Sequence, residues 1–151
     1  MSNLPTVQAL YEAFAKGDIA TFTSHLADDV RWEQWDDNRA VSAGVPWLQP
    51  YVGRDAVAGF FAAVGEMQIV ELSVLNMMEG GNEVAVSFVI EAELPRCDGR
   101  SYRDEEIHLW TFDADGKVAR LRHYTDTAKH IEAFTGRRDA PVDAPVPQPA
   151  S

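Results

Sequence analysis

"MQIVELSVLNMMEGGNEVAVSFVIEAELPRCDGRSYRDEEIHLWTFDADGKVARLRHYTDT", residues Met67 to Thr127, decides the fold of this chain. Its apolar residues recur with a period of two, as in strands whose side chains alternate between faces. Three turn signals cut the stretch: "EGGN" at 79–82, "RCDGR" at 96–100 and "DADG" at 113–116. The pattern predicts four strands joined as an antiparallel meander.

N-terminal to this stretch the period is 3.6. In "NLPTVQALYEAFAKGD", Val7, Leu10, Tyr11 and Phe14 form one helical stripe. Asn3 is placed to cap it, Pro5 suits its first turn and Gly17 ends it. Asp18 caps a second helix carrying Ile19, Phe22 and Leu26. "GRDAVAGFFAAVGE" predicts a third, burying Val57, Phe60, Phe61 and Val64. Between the second and third helices, "DDVRWEQWDD" reads as a strand with Val30, Trp32 and Gln34 on one face. A long loop at about 36–52, "AGVPWLQPYVG" within it, carries Trp47 and Tyr51; it is either a flap over a pocket or a plug for the core. "AKHIEAFTG" suits a short terminal helix, and the Pro-rich 136–151 is expected to be disordered beyond a single domain at 1–135.

These elements predict an α+β fold: three N-terminal helices on the concave face of a curved antiparallel or mixed sheet. Three short helices do not fill such a sheet along its whole length, so a conical ligand cavity is expected.

Composition narrows the function. The 151 residues are 46% hydrophobic and 25% charged, with net charge −11. That charge argues against nucleic acid or an anionic membrane as partner. No apolar run approaches a membrane span, and "MSNLPTVQAL" lacks the basic start of a secretory signal, so a cytoplasmic location is expected. Cys97 is the only cysteine and lies in a turn, a weak nucleophile signal. No GxGxxG, P-loop or GxSxG stretch occurs, and no cofactor is expected. A metal centre is not expected either, because no HxH, HxD or HExxH spacing occurs and His25 and His130 fall in helical segments far off in sequence.

The candidate chemistry is in the last two strands. Glu106, His108 and Trp110 share one face; on the next strand Leu121, His123 and Thr125 do the same. Adjacent strands lie about 4.8 Å apart, so two histidines on neighbouring strands can approach one ligand. Glu106, two residues from His108, is placed to orient its ring.

"VQALYEAFAKGDIATFTSHLADDVRWE", "YVGRDAVAGFF" and "EEIHLWTFDADGKVARLRHYTDT" together resemble the nuclear transport factor 2-like superfamily. Within it they are most similar to the SnoaL-like polyketide cyclase and ketosteroid isomerase group. The shared pieces are "GD" at 17–18, "ADDV" at 27–30, "GR" at 53–54 and the F-x-x-DGK pattern at 112–117. The resemblance implies the same cone, with Trp32, Gln34, His108, Trp110, Leu121 and His123 facing its cavity. It also implies a homodimer, burying Ile107, Leu109 and Tyr124. Gln34 stands where ketosteroid isomerases hold their aspartate base, and a glutamine takes no proton at neutral pH. Leu10 stands at the oxyanion tyrosine's place, with Tyr11 turned by about 100° beside it. His108 stands at the partner aspartic acid, and His123 at the acidic residue of the polyketide cyclases.

The expected function is binding of a small, largely apolar carbonyl or aromatic compound, with acid–base isomerisation or cyclisation. His108, His123 and Glu106 are the expected catalytic set. Trp32, Gln34, Trp110, Leu121, Tyr11, Phe14, Phe61 and Trp47 are the expected binding residues. The alternatives are a non-catalytic ligand-binding module and a protein-interaction domain with a filled cone.

Overall fold

In the computed structural model of the chain, residues 1–137 are described; the Pro-rich stretch expected to be disordered lies, from residue 138 on, outside them. Two helices open the chain, α1 (Leu4–Ala15) and α2 (Ile19–Ser24), followed by β1 (Leu26–Gln34). The long loop holds α3 (Arg39–Ser42), a single 3-10 turn at Pro46–Leu48 and β2 (Tyr51–Val52). Then come α4 (Ala58–Gly65), β3 (Gln68–Gly80), β4 (Glu83–Leu94), β5 (Arg100–Phe112), β6 (Val118–Tyr124) and α5 (Thr127–Thr135). No helix among the described residues is long and apolar enough to cross a membrane.

Local chemistry accounts for most boundaries. Pro5 sits in the first turn of α1, and Gly17, at φ +68°, stops it. The Asp18 carboxylate accepts the Thr21 N–H at 3.1 Å and starts α2. Asn3 does not cap α1 with its side chain. Its backbone N–H instead donates to Glu79 at 2.6 Å, tying the N-terminus to the end of β3. Asp98 and Gly99, both at positive φ, make the turn into β5.

The sheet runs β2-β1-β6-β5-β4-β3. The β3–β6 meander is antiparallel as read from the sequence. β1 joins it parallel to β6, which makes the sheet mixed. β3 shifts register twice, at Ile69/Glu71 and Val74/Asn76. Bulges of this kind add twist and bend, and they let the sheet curl around the helices.

Two apolar clusters fill the fold. In the first, Val7 and Leu10 of α1 and Phe22 of α2 pack on Trp32, Trp110 and Leu121. In the second, Val45, Trp47 and Leu48 of the loop pack with Ala92, Leu94 and Tyr102 of the sheet and with Ile131 and Ala133 of α5. Val45 and Leu48 are completely buried, so this loop is a packed wall. Only Val57 of the third helical stripe is buried; Phe60, Phe61 and Val64 are half-buried. α4 therefore stands off the sheet, and the gap behind it is the cavity.

Candidate functional site

The cavity lies between the helices and the concave sheet. Tyr11, Phe14, Phe22, Trp32, Trp47, Phe60, Phe88 and Trp110 form its aromatic wall. Its free volume is about 60 Å³. At a liquid share of about 30 Å³ per water that is room for roughly two waters, so a larger ligand must displace side chains. The half-buried Phe60 and Val64 of α4 are the ones least held by packing. The ionisable side chains on the wall are those of Tyr11, Tyr102, Glu106, His108, His123 and His130; among the described residues no lysine or arginine lines it.

Strand register brings the two sequence-predicted histidines together. His108 of β5 pairs directly with His123 of β6, and their ring centroids are 4.4 Å apart. Each ring is tied at one nitrogen. Tyr11 Oη lies 2.6 Å from His108 Nδ1 and accepts the indole N–H of Trp110 at 3.2 Å. If His108 Nδ1 carried the proton, the phenol's own hydrogen would have no acceptor. The phenol therefore donates to Nδ1, which leaves the hydrogen of His108 on Nε2. On the other ring, His123 Nε2 lies 2.7 Å from Glu106 Oε1. A carboxylate accepts, so Nε2 is the protonated nitrogen and Nδ1 of the neutral ring carries a lone pair. Neither remaining nitrogen, His108 Nε2 nor His123 Nδ1, bonds to a described residue, and both residues line the cavity.

Glu106 does not orient His108, as its spacing suggested. Its two oxygens go to His123 Nε2 and, at 2.8 Å, to His130 Nε2. His130 comes from α5, where sequence separation had set it aside. It also bonds Asp104 Oδ2 at 2.9 Å, and Trp47 Nε1 donates to its Nδ1 at 2.8 Å. Asp104, Glu106 and His130 are almost fully buried. Their ligand-type atoms fall within 4.8 Å of one another, which is metal-site spacing. The hydrogen bonding fits a metal poorly. A metal-bound imidazole hands its other N–H to an acceptor, whereas the nitrogen of His130 facing away from the carboxylates meets a donor.

Burial disfavours a charged His108 ring and the neighbouring His123 adds to this, so His108 is held well below its ordinary value of 6.5 despite the attraction of Glu106. Burial works against ionised Glu106, but the charges and hydrogen bonds of His123 and His130 outweigh it and hold the carboxyl below the usual carboxylate range. Burial likewise opposes a charged His130, and the hydrogen bonds of Asp104 and Glu106 pull it above 6.5. Burial, with Glu106 adding, raises the Tyr11 phenol, so Tyr11 stays a hydrogen-bond donor at neutral pH.

His108 makes stability depend on pH. Below 6.5 the unfolded chain protonates this ring and the folded chain does not. Its contribution falls by about 1.4 kcal/mol per pH unit as pH drops through that range. Urea unfolding at pH 6.5 and 5.5 should show a smaller loss in His108→Gln than in the unaltered protein. Equal losses would show that the ring is charged in the fold.

Three expected binding residues lie elsewhere. Leu121 is in the solid core, 1% exposed. Phe61 packs edge-on to Phe22, centroids 5.1 Å apart, and lines an adjoining cleft with Phe14 and Ile19. Gln34 lies past the cavity's end, covered by Asn38 and opening on an outer depression. Tyr11, Phe14, Trp32, Trp47 and Trp110 do line the cavity. Sequence reasoning missed Phe22, Phe88, Tyr102, Asp104 and His130. Asp104 and Tyr102 were within reach of it, since stepping back by two from Glu106 along β5 puts both on the inner face.

Residues 7–121 match the family model of the SnoaL-like domain. Among solved structures, a nuclear transport factor 2-like protein of unknown function from Burkholderia pseudomallei is 30% identical at a TM-score of 0.74, the match covering 89% of this chain and 99% of that one. TerC, co-crystallised with polyporic acid, is 26% identical at a TM-score of 0.72, covering 88% and 98%. A protein of unknown function with a cystatin-like fold from Xanthomonas campestris shares the fold at 18% identity, with a TM-score of 0.70 over 89% and 98%. No curated protein matches the chain. The family match and the 30% identity over nearly the full length place the chain in the SnoaL-like family of nuclear transport factor 2-like proteins.

Proposed function

We propose that this SnoaL-like protein binds a small, neutral, largely apolar carbonyl or aromatic compound in the cone and moves a proton on it. The observation that carries this reading is the opposed histidine pair, a lone pair on His123 Nδ1 and an N–H on His108 Nε2, 4.4 Å apart between ring centroids on an aromatic wall. His123 takes a proton from the carbon beside the carbonyl. His108 donates a hydrogen bond to the oxygen, where the electron pair of the broken C–H bond comes to rest as an enolate. Return of the proton to another carbon isomerises the compound; attack of the enolate on a second carbonyl of the same molecule closes a ring, and the alkoxide left by that carbonyl takes the proton back from His123. Glu106 keeps His123 in the basic tautomer. Tyr11, backed by Trp110, keeps His108 in the donating one. Among the described residues no lysine or arginine lines the wall, which does hold the ionised Glu106, and this disfavours anionic ligands. The co-crystal of TerC with polyporic acid supports a small-molecule occupant for a relative's fold of this kind.

The small free volume favours a second reading, a packed cone that works without turnover. A thermal-shift screen against neutral cyclic ketones, hydroxylated aromatics and steroids tests the difference. A ligand at about 100 times its dissociation constant adds about 2.7 kcal/mol, roughly 5–10 °C for a domain of this size. A shift of that size supports the pocket; no shift across the panel favours the packed cone.

The outer sheet face supports a homodimer. Ile107 and Tyr124 are 42% and 37% exposed there, and Trp35 stacks flat on Tyr124. Analytical ultracentrifugation at micromolar concentration should give a dimer, and Tyr124→Glu should yield monomer. Monomer throughout for the unaltered chain would refute this.

A further inference from the structure

We propose that Trp47 sets the proton state of His130 and, through Glu106, the basicity of His123; the proposal rests on the proton-transfer reading and makes this loop tryptophan a positioning residue for it. An indole N–H can only donate. Its 2.8 Å contact therefore requires a lone pair on His130 Nδ1. The ring's hydrogen is then on Nε2, shared between Asp104 Oδ2 at 2.9 Å and Glu106 Oε2 at 2.8 Å. A second proton has only Nδ1 to take, and it would set two N–H groups against each other. The Trp47 bond and a charged His130 exclude one another.

The consequence reaches the cavity through one carboxylate. Glu106 bridges His130 and His123 with its two oxygens. With His130 neutral, the charge of Glu106 is available to the His123 N–H and strengthens the lone pair on the opposite nitrogen. With His130 charged, that charge is spent on the wrong ring. The groups around His130 pull in opposite directions. From β5, Asp104 and Glu106 favour a second proton, and Tyr102 packs against the ring at a tilt of 48°, centroids 4.3 Å apart. From the loop, Trp47 opposes it, as does burial. On α5 itself, Lys129 is turned away and bonds the Arg103 carbonyl at 3.0 Å. On the cavity side, His123 faces His108 and Phe88.

The test is long-range 15N NMR of the histidine rings, titrated from pH 6 to 9, in the unaltered chain, in Trp47→Phe and in Tyr102→Phe. At pH 7.5 the unaltered chain should show His130 protonated on Nε2 alone. Trp47→Phe keeps the ring but removes the donor. It should raise the His130 midpoint and lower that of His123, each by about one unit. Tyr102→Phe, which removes no bond to the ring, should leave both in place. His130 doubly protonated at pH 7.5 in the unaltered chain overturns the proposal. So does Trp47→Phe with unmoved midpoints. Should Trp47→Phe not fold, the tautomer in the unaltered chain still decides. The readout needs no substrate, so the expected proton states without turnover would sink the proton-transfer reading and leave the wiring standing.

Discussion

Alanine at Glu106 is expected to cost about 3–5 kcal/mol of unfolding free energy, the range for breaking a buried charged network from one side. Glu106 is 2% exposed and is the acceptor for both His123 and His130. Its removal strands the His123 imidazole N–H in the core, leaves His130 with Asp104 as its one acceptor and opens a void, and each effect destabilises. Relief of repulsion with Asp104 works the other way, which keeps the expectation within that range. Glu106→Gln keeps the volume and one acceptor oxygen and should lose less. The pH dependence follows from the sign of the shift. Because the folded carboxyl is held below its ordinary value of 4.5, its contribution is complete above that value and is lost as pH falls further, through the folded value. Urea unfolding at pH 7 and across the acid limb measures both effects. A loss under about 1 kcal/mol for Glu106→Ala, the level of an exposed ion pair, would mean that the network contributes no more than a surface contact.

His123→Ala should lower turnover by about 10²–10⁴-fold, the usual worth of a positioned base. That is roughly 3–5.5 kcal/mol of barrier. The ligand rests mainly on the aromatic wall, so KM should move little, and a thermal shift with the same ligand should survive. His108→Gln replaces the ring N–H with a differently placed amide donor and leaves the base, so it should act in the same direction with a smaller effect. Turnover by His123→Ala at the unaltered rate would remove His123 from the chemistry. Loss of ligand binding along with turnover would assign it to the wall.

Much of this was readable in the sequence because strand periodicity is a strong signal. The alternation through "DEEIHLWTF" put Glu106, His108 and Trp110 on one face, and the short turn at 113–116 put His123 on the neighbouring strand. The direct pairing of the two histidines needs the register, which the irregularity at Thr111/Phe112 sets. His130 was out of reach for a different reason. Its contacts cross 24 and 26 residues to Glu106 and Asp104, and they exist only because α5 folds back over the sheet. The physical clue was indirect: a strand face carrying Asp104 and Glu106 inward must bury two carboxylates, and buried carboxylates need donors. Gln34 was misplaced because alternation gives the face of β1 but not where the cavity stops along it. Its last residue is covered by Asn38 of the loop, a contact no period encodes.

Proton exchange is the most direct test of the central claim. Small neutral ketones would be incubated with the protein in D₂O, and loss of the hydrogens beside the carbonyl followed by proton NMR. Exchange above the buffer rate for at least one ketone, abolished in His123→Ala and slowed in His108→Gln, is the expected result. A panel in which ketones bind, as judged by thermal shift, yet exchange no faster than in buffer would contradict proton transfer and leave a binding protein.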